Sequence, residues 1–415
     1  MARLGKQRSG PRRIGSQCAA VAAALLFAFV TSPPALSHWG AEHVCSLPGA
    51  TTKEPEPGPA VLHPVDSAPE RLDDGWPVST LETEGIRSGL IDQALSAIRD
   101  GDFPKLDGLL IAHGGKLVLE AYFNGFHREA KHDTRSAFKS VTSALLGIAV
   151  DKGLIADVEE PLSAYFQDYW PAIDHDLDRK GRITLAHMLT MTPGFDAEEN
   201  WGRGPDREMA MWRSADWIGY SLGLPMAYEP GRQFSYNSST TFLLGQVVER
   251  AAGMPLQDFA RSNLFEPLGI LDYCWTLSTK GRAVAQGSFF MRPRDMLKLG
   301  QLFLDRGLWH GRRLISEDWV EVSTRHQVGS ASPDSERSVA NREGYGYQWW
   351  TYRARNPRFN QYFASGNGGQ KIYVFPDLDL VVVFTGSNYN KSIGHAQIIE
   401  IFKTYLVPAF LGLLR

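Results

Sequence analysis

The sequence predicts a mixed α/β fold of the α+β kind, and strand patterns near its two ends carry this prediction. Apolar runs over residues 108–113 and 116–123 flank Gly114-Gly115, a pattern that predicts a β-hairpin with a glycine turn. The intervening chain is rich in helix and loop patterns. The strands are therefore expected to form one sheet from distant segments, with a helical subdomain inserted between them. The C-terminal strand patterns cover residues 346–350, 370–375 and 380–385.

Helical periodicity predicts the elements around these strands. One helix begins near Ser88, and Thr184 is placed to cap another that ends before Pro193-Gly194. A helix that follows Ser136 carries regularly spaced apolar residues, so we expect it to be buried. The other predicted helices lie near residues 242–248 and 395–410, and no strand pair is predicted between residues 153 and 285.

The N-terminal region indicates export. Basic residues, an apolar run from Cys18 to Val30 and small residues up to Ser37 follow the order of a secretory signal peptide. The apolar run is short for a membrane span, so an uncleaved anchor is the second interpretation. We therefore expect a periplasmic or secreted protein. The predicted segments are a signal peptide (1–37), a Pro-rich linker or extended arm (38–85) and one domain (86–410), the last divided into an α/β part (86–152 and 286–410) and a helical subdomain (153–285).

Composition narrows the classes of partner. The formal net charge is −3 and no basic patch is interleaved with aromatic residues, so no nucleic-acid partner is expected. The histidines are scattered without ligand spacing, so we expect no metal and no other cofactor, and no membrane partner beyond export. Cys45 and Cys274 remain after removal of the leader, and their spacing leaves open whether they pair.

Ser136 and Lys139 stand three residues apart at the start of the predicted buried helix, so they share one helix face. A serine hydroxyl needs a neighbour that takes its proton before it becomes a useful nucleophile. A lysine whose pKa is lowered by partial burial can be that neighbour, or can tune another base. The positive end of the helix would lie under Ser136, where it stabilises an oxyanion. The same spacing also fits an ordinary helix-start serine beside a solvated lysine.

Two downstream stretches supply groups for the same chemistry. Tyr236, on a loop before a helix, can point its hydroxyl into a cleft, and it acts as a base only where cations lower its pKa. The alternative is a tyrosine that only packs its ring. Residues 364–370 read Ala-Ser-Gly-Asn-Gly-Gly-Gln, and the glycines allow close approach of the backbone to a ligand. Backbone N–H groups there can join that of Ser136 in an oxyanion hole, unless the stretch is a plain hairpin turn.

In this order, the three stretches resemble the serine hydrolases of the class C β-lactamase and penicillin-binding superfamily, above all its esterase and 6-aminohexanoate-dimer hydrolase branch. Ser136 and Lys139 match the Ser-x-x-Lys motif, and residues 236–238 match Tyr-x-Asn/Ser. Residues 364–366 fall where the family carries Lys/His-Thr/Ser-Gly. The resemblance covers about residues 85–410. It implies a β-lactamase/transpeptidase-like fold, with an antiparallel sheet flanked by helices and an inserted, mostly helical subdomain.

The resemblance also implies a role for each matching residue. Ser136 is implied to be the acylated nucleophile, with Lys139 and Tyr236 sharing the general-base and proton-shuttle work. The backbone N–H groups of Ser136 and Asn367 are implied to bind the oxyanion, beside the close approach that Gly366 allows. The residues implied to surround these groups are Asn237, Ser365 and Ser238, the last within reach of the lysine.

One position departs from the family pattern. β-Lactam-active members usually open the third motif with Lys or His, whereas Ala364 or Ser365 stands here, and Lys371 lies too far along the strand to replace it. We therefore expect a neutral ester or amide as the small-molecule substrate. The alternatives are a penicillin-recognising D-Ala peptidase or weak class C-like β-lactamase, and a catalytically silent binding protein of the same fold. No pattern indicates the oligomeric state.

The aromatic residues expected to line an acyl cleft, unless they pack in the core, are Trp201, Trp212, Trp217, Tyr345 and Trp350.

Overall fold

A nine-stranded antiparallel sheet organises the computed structural model, which describes residues 42–47, 52–62, 64–199, 206–330 and 342–414. The predicted signal peptide lies outside these residues. In chain order the strands are β1 (Glu42–Cys45), β2 (Val61–Leu62), β3 (Leu106–His113), β4 (Lys116–Tyr122), β5 (His132–Asp133), β6 (Tyr273–Leu277), β7 (Phe289–Met291), β8 (Leu308–Trp309), β9 (Arg312–Arg313), β10 (Val328–Gly329), β11 (Glu343–Tyr345), β12 (Trp350–Tyr352), β13 (Gln361–Gly366), β14 (Gln370–Phe375) and β15 (Leu380–Gly386). The large sheet has the order β10-β11-β12-β13-β14-β15-β3-β4-β2, so its centre joins the two ends of the domain.

Helices cover this sheet and fill the insertion between its halves. α1 begins at Ser88, as predicted, and Thr184 caps α4 by accepting the His187 N–H. The mixed α/β prediction, with a sheet of distant segments, is confirmed. The helices are α1 (Ser88–Arg99), α2 (Phe138–Asp151), α3 (Leu177–Lys180), α4 (Leu185–Leu189), α5 (Glu208–Arg213), α6 (Trp217–Leu222), α7 (Ser238–Ala252), α8 (Leu256–Ala260), α9 (Pro293–Leu304), α10 (Glu317–Thr324), α11 (Ile393–Ile401) and α12 (Val407–Phe410).

Strand alternation separates two apolar cores on opposite faces of the large sheet. Val381 and Val383 face the larger core, which α2, α7 and α9 share, whereas Val382 and Phe384 face the smaller one. The smaller core is closed by α1 and the C-terminal helices. Every residue of α2 over 138–149 is buried, so this helix runs through the larger core. A lysine on α2 is therefore forced to find its partners inside the protein.

The stretch predicted as a linker or arm packs onto the domain. β1 pairs with β6 in a second sheet of order β1-β6-β7-β5, and β2 pairs with β4 at the edge of the large sheet. Cys45 and Cys274, whose pairing the sequence leaves open, form a disulfide between β1 and β6. Arg294 binds the buried Glu120 at 2.6 Å and Asp74 at 2.8 Å, which fastens the end of the arm beside α9.

Two strand predictions are corrected by the structure. The sequence predicts one strand over residues 346–350, but β11 and β12 form a hairpin there and residues 346–349 are its turn. Gln348 takes a φ of 62° in this turn, which interrupts an extended strand. The sequence also predicts no strand pairing between residues 153 and 285, yet β6 lies there. Its two partners lie outside this range, β1 in the distant arm and β7 just beyond residue 285, so the range contains one strand of the sheet and not a pair.

The C-terminal segment is apolar and partly buried. Residues Ile393–Leu414 are long and apolar enough to span a membrane by length and composition alone. Ile398, Ile401, Leu406 and Phe410 in this segment are, however, fully buried in the smaller core. Packing against the sheet therefore accounts for these buried residues, which belong to the 33% of the apolar window that is buried.

Candidate active site

Ser136 lies on the short 3₁₀ turn Arg135–Ala137 that leads into α2. Asp133 holds this turn, because one carboxylate oxygen accepts the Arg135 N–H at 2.9 Å and the other lies 2.9 Å from Arg135 Nε. Arg135 takes a φ of 48°, an uncommon conformation for a residue with a side chain, and these contacts help to keep it. Ser136 thus stands at the N-terminal end of a buried helix, where the helix dipole favours negative charge.

Lys139 is the centre of the hydrogen-bond network around Ser136. Its Nζ lies 3.1 Å from Ser136 Oγ, 3.1 Å from Ser238 Oγ and 3.2 Å from the backbone oxygen of Gln286. The side chain is only 1% exposed, so water does not compete for these contacts. An ammonium group has three N–H donors, enough for these three oxygens, and the Tyr236 hydroxyl is a further hydrogen-bond neighbour. The geometry therefore fits a charged Lys139.

The pKa of Lys139 is set by its burial and by its neighbours. Burial opposes the ammonium, but the neighbouring Tyr236 and Glu199 outweigh it, so the pKa of Lys139 is raised above its ordinary value. This direction is opposite to the lowering that would make Lys139 a base at neutral pH. Burial also raises the pKa of Tyr236, although Lys139 and a hydrogen bond with Ser136 act in the opposite direction. Burial thus works against ionisation of the Tyr236 hydroxyl.

Tyr236 forms one wall of the site together with other aromatic rings. Its ring stacks on Trp350 with 5.6 Å between ring centres and meets Tyr345 edge-on at 6.3 Å. Phe234 contacts both of these rings. Lys139 Nζ lies 5.0 Å from the centre of the Tyr236 ring, a cation–π distance. The ring is therefore fixed by packing, which leaves the hydroxyl at its end oriented toward the polar centre.

The other aromatic residues expected around the cleft have a different place. Trp212 and Trp217 are 6% and 4% exposed and pack edge-on against each other in the larger core, where Trp217 also contacts Phe242. These two therefore follow the core interpretation. Trp201 lies outside the described residues.

Asn237 and Ser238, predicted to surround the catalytic groups, divide into two roles. Asn237 Oδ1 accepts the Thr240 N–H at 3.1 Å and its Nδ2 donates to the Ser235 oxygen at 2.9 Å, so Asn237 caps α7. Ser238 contacts Lys139 directly. The structure thus brings Ser136, Lys139, Tyr236 and Ser238 into one cluster, while Asn237 shapes the helix that carries part of it.

The third stretch borders Ser136 through the end of β13. A Cβ on Gly366 would lie 2.2 Å from the backbone oxygen of Thr134 and 3.2 Å from the Ala137 nitrogen, so only glycine allows this approach. β12 pairs with β13 no further than Phe363, which leaves the Ala364–Gly366 edge without a strand partner on that side among the described residues. Asn367 is held beyond it, because its Oδ1 accepts the Asn390 N–H at 2.8 Å. The oxyanion role of the Asn367 backbone stays a prediction.

Lys371 lies closer to the third stretch than the sequence indicates. It stands directly opposite Ser365 in the β13–β14 pair, and its Nζ donates to Ser365 Oγ at 2.7 Å. The prediction that Lys371 lies too far along the strand is therefore wrong, because antiparallel pairing across a tight hairpin makes residues six apart in sequence direct neighbours. We expected a neutral substrate because no cation was predicted to reach this motif. The contact between Lys371 and Ser365 removes that reason.

Sequence reasoning missed Glu199. Its carboxylate accepts both the backbone N–H and the hydroxyl of Ser238, the latter at 2.9 Å. The backbone N–H of Glu199 donates to the backbone oxygen of Tyr236 at 2.9 Å. Two adjacent carboxylates at 198 and 199 are the only signal in the sequence, and nothing in their spacing connects them with Ser136. Within the described ranges no group of three or more His, Cys, Asp or Glu is placed to hold a metal ion.

Comparison with known proteins assigns this architecture to a family. The Beta-lactamase family model matches residues 102–399, a span that contains Ser136, Lys139, Tyr236 and β13. The chain belongs to the beta-lactamase family. The resemblance drawn from the three motifs is thereby confirmed, and the family comprises serine hydrolases with hydrolase and acyltransferase relatives.

Two similar sequences and one similar solved structure illustrate the members of this family. The 6-aminohexanoate-dimer hydrolase of Paenarthrobacter ureafaciens is 28% identical over 67% of this chain and 71% of its own length. Monacolin J acid methylbutanoyltransferase of Aspergillus terreus is 27% identical over 36% of this chain and 39% of its own length. A solved structure of a provisional 6-aminohexanoate-dimer hydrolase from Bacillus anthracis superposes with a TM-score of 0.62, at 20% identity over 89% of this chain and 90% of the other. At that identity the superposition shows the fold alone.

Proposed function

We propose that the protein is an exported serine hydrolase that cleaves an ester or amide bond through an acyl-enzyme on Ser136. The observation that carries this proposal is the contact of 3.1 Å between Nζ of the buried Lys139 and Ser136 Oγ at the start of α2. An ordinary helix-start serine would have its lysine neighbour in solvent. Here the lysine is enclosed, and its other two acceptors come from distant parts of the chain.

In the proposed reaction Ser136 Oγ attacks the substrate carbonyl carbon, and its proton passes to Lys139 or Tyr236. The negative oxygen that forms is stabilised by the backbone N–H groups of Ser136 and Asn367 and by the α2 dipole, each donor being worth about 3–4 kcal/mol in the transition state. The proton then goes to the leaving alcohol or amine, which departs as the acyl-enzyme forms. Water attacks the ester carbon of this intermediate and restores Ser136.

The nature of the substrate rests on the relatives. The Paenarthrobacter relative is named for an amide dimer and the Aspergillus relative for acyl transfer, so both ester and amide carbonyls are candidates. The contact between Lys371 and Ser365 removes our reason to restrict the substrate to neutral molecules. Export is supported by the leader sequence and by the Cys45–Cys274 disulfide, since such bonds persist in oxidising compartments.

The test is hydrolysis of a short-chain chromogenic ester and labelling by a fluorophosphonate, with the wild-type protein beside Ser136→Ala. We expect both activities to disappear in Ser136→Ala. The matched control is Ser143→Ala, in the same helix, because Ser143 Oγ is buried and has no hydrogen-bond partner among the described residues. Its removal should leave the rates unchanged.

Other outcomes separate the alternatives. A slowly hydrolysed penicillin adduct on Ser136, detected by mass spectrometry, together with poor ester turnover would favour the peptidase or weak β-lactamase alternative. A folded wild-type protein that neither turns over the ester nor reacts with the fluorophosphonate would contradict the proposal and favour a silent binding protein.

A further inference from the structure

The resting arrangement poses a proton problem for Lys139. All three of its acceptors are hydrogen-bond partners of an ammonium group, and an ammonium has no lone pair with which to accept the Ser136 proton. Tyr236 also rests protonated, so it does not supply a ready base. If Lys139 is to act as the base, one proton must first leave it. Lys139 and Ser238 are each 1% exposed, so a proton that leaves Lys139 passes first to one of its hydrogen-bond partners.

Glu199 and Ser238 form such a path. Ser238 Oγ lies 3.1 Å from Lys139 Nζ and 2.9 Å from Glu199 Oε2. The ammonium can only donate and the carboxylate can only accept, so the hydroxyl accepts from the first and donates to the second. The other carboxylate oxygen accepts the Ser238 N–H, and the backbone N–H of Glu199 donates to the backbone oxygen of Tyr236. These contacts fix the direction of the chain from Lys139 to Glu199.

We propose that Glu199 is a positioning and proton-accepting residue that neutralises Lys139 through the Ser238 hydroxyl. In this step one N–H bond of Lys139 breaks and its proton binds Ser238 Oγ, while the original Ser238 proton passes to Glu199 Oε2. The products are a neutral amine, an intact hydroxyl and a carboxylic acid, so charge and protons balance. The lone pair of Lys139 then accepts the Ser136 proton during attack. The proposal rests on the proposed function, since it concerns how the same nucleophile is activated.

The surroundings of Glu199 make its carboxylate a stronger proton acceptor than an exposed one. Burial, and then repulsion by Glu208, raise its pKa well above the ordinary value, against the attraction of Lys139. Tyr236 and Tyr345 also interact electrostatically with this carboxylate. Burial raises the pKa of each tyrosine, so both hydroxyls are neutral at pH 7. A buried pair of opposite charges is costly to desolvate, so the neutral pair that the transfer creates is an accessible alternative.

The experiment measures the rate of fluorophosphonate labelling of Ser136 between about pH 6 and pH 10, in the wild type, Glu199→Gln and Ser238→Ala. Glutamine retains the shape of the side chain but takes up no proton. We expect both variants to label about 10²-fold or more slowly at pH 7, within the range that proton transfer contributes. Both rates should recover as the pH rises, because Lys139 then loses its proton to solvent. The double variant should be no slower than the slower single variant, since the two residues act in one chain.

The matched control is Glu198→Gln. Glu198 is the neighbouring buried carboxylate, but it accepts the backbone N–H of Tyr236 at 3.1 Å and has no contact with Ser238 among the described hydrogen bonds. Its change should alter labelling by the same factor at every pH. Thermal unfolding of each variant identifies a loss of labelling that comes from unfolding.

Two results would overturn the relay. If Glu199 acts only through its charge, Glu199→Gln lowers the pKa of Lys139 and labelling at pH 7 becomes faster. If Glu199 only supports the loop, labelling falls by one factor at all pH values, as in the control. In both cases the wild type still labels at Ser136, so the proposed function stands. Failure of the wild type to label would contradict the proposed function itself.

Discussion

Lys139 is a residue whose removal has two separable consequences. Its ammonium satisfies three buried acceptors, so a variant that lacks it loses a proton carrier and also leaves polar groups without a partner. A methionine has a side chain of similar length and keeps the packing against the Tyr236 ring, whereas an alanine would add a cavity. Lys139→Met is therefore the cleaner test of the charge.

We expect Lys139→Met to lower kcat for the chromogenic ester by about 10²–10⁴-fold, the range that a general base contributes, with a smaller change in KM. Steady-state kinetics of the purified variant, with a thermal melt to verify folding, check this. Lys180→Met is the control, because Lys180 is also 2% exposed but contacts His175, away from the site. Near-normal acylation of Lys139→Met at neutral pH would show that Lys139 does not activate Ser136.

The sequence predicts some of these residues and not others, for a physical reason. Ser136 and Lys139 lie one helical turn apart, so their proximity follows from local periodicity. Glu199 reaches Ser238 from another loop, across 39 residues, and only tertiary packing brings them together. The same holds in part for the pKa of Lys139: burial lowers it, and of the two groups that most oppose this effect, Tyr236 and Glu199, the sequence locates only Tyr236.

At the scale of elements, the site depends on how closely β13 approaches the Ser136 turn. The strands β14 and β15 are predicted nearly to the residue, because each is a continuous apolar run bounded by turn residues. The β11–β12 hairpin is not predicted from the sequence. Its turn contains Tyr347 and Trp349, large aromatic residues that are also common in strands. Contact between β13 and the turn before α2 lies beyond any local pattern, although Gly366 marks the place where it occurs.

Gly366→Ala tests this approach. A methyl group there would lie 2.2 Å from the Thr134 oxygen, so β13 must move away from Ser136. We expect a loss of about 1–3 kcal/mol in the free energy of unfolding, as in other overpacked sites, and a larger relative loss of ester hydrolysis. Urea unfolding and kcat/KM are the measurements.

Gly89→Ala is the control for this substitution. Gly89 lies in α1 with open space around its position, so alanine there should stabilise the helix by about 0.5–1 kcal/mol and leave hydrolysis unchanged. If Gly366→Ala retained both the wild-type stability and the wild-type rate, the close approach of β13 would not be needed for the site.

At the scale of the whole molecule, the N-terminal arm is joined to the domain by the Cys45–Cys274 disulfide and by strand pairing. The disulfide links residues separated by 229 positions and fixes the arm to β6. β6 lies against β7, whose Phe289 oxygen accepts both the backbone N–H and the hydroxyl of Thr134, two residues before Ser136. The arm therefore supports the layer of strands behind the nucleophile turn, although neither cysteine is among the hydrogen-bond partners of Ser136 or Lys139 in the described residues.

Replacing both cysteines by serine should therefore reduce stability far more than activity. Opening a cross-link of this length is expected to lower the free energy of unfolding by about 2–5 kcal/mol, mainly because the unfolded chain gains freedom. Urea unfolding with and without dithiothreitol measures the effect. The reductant should destabilise the wild type to the level of the double variant and leave the variant unchanged, while ester hydrolysis by the folded variant at room temperature stays close to that of the wild type. Equal unfolding midpoints for the oxidised and reduced wild type would mean that the arm is held by β1–β6 pairing and the Arg294 contacts without help from the disulfide.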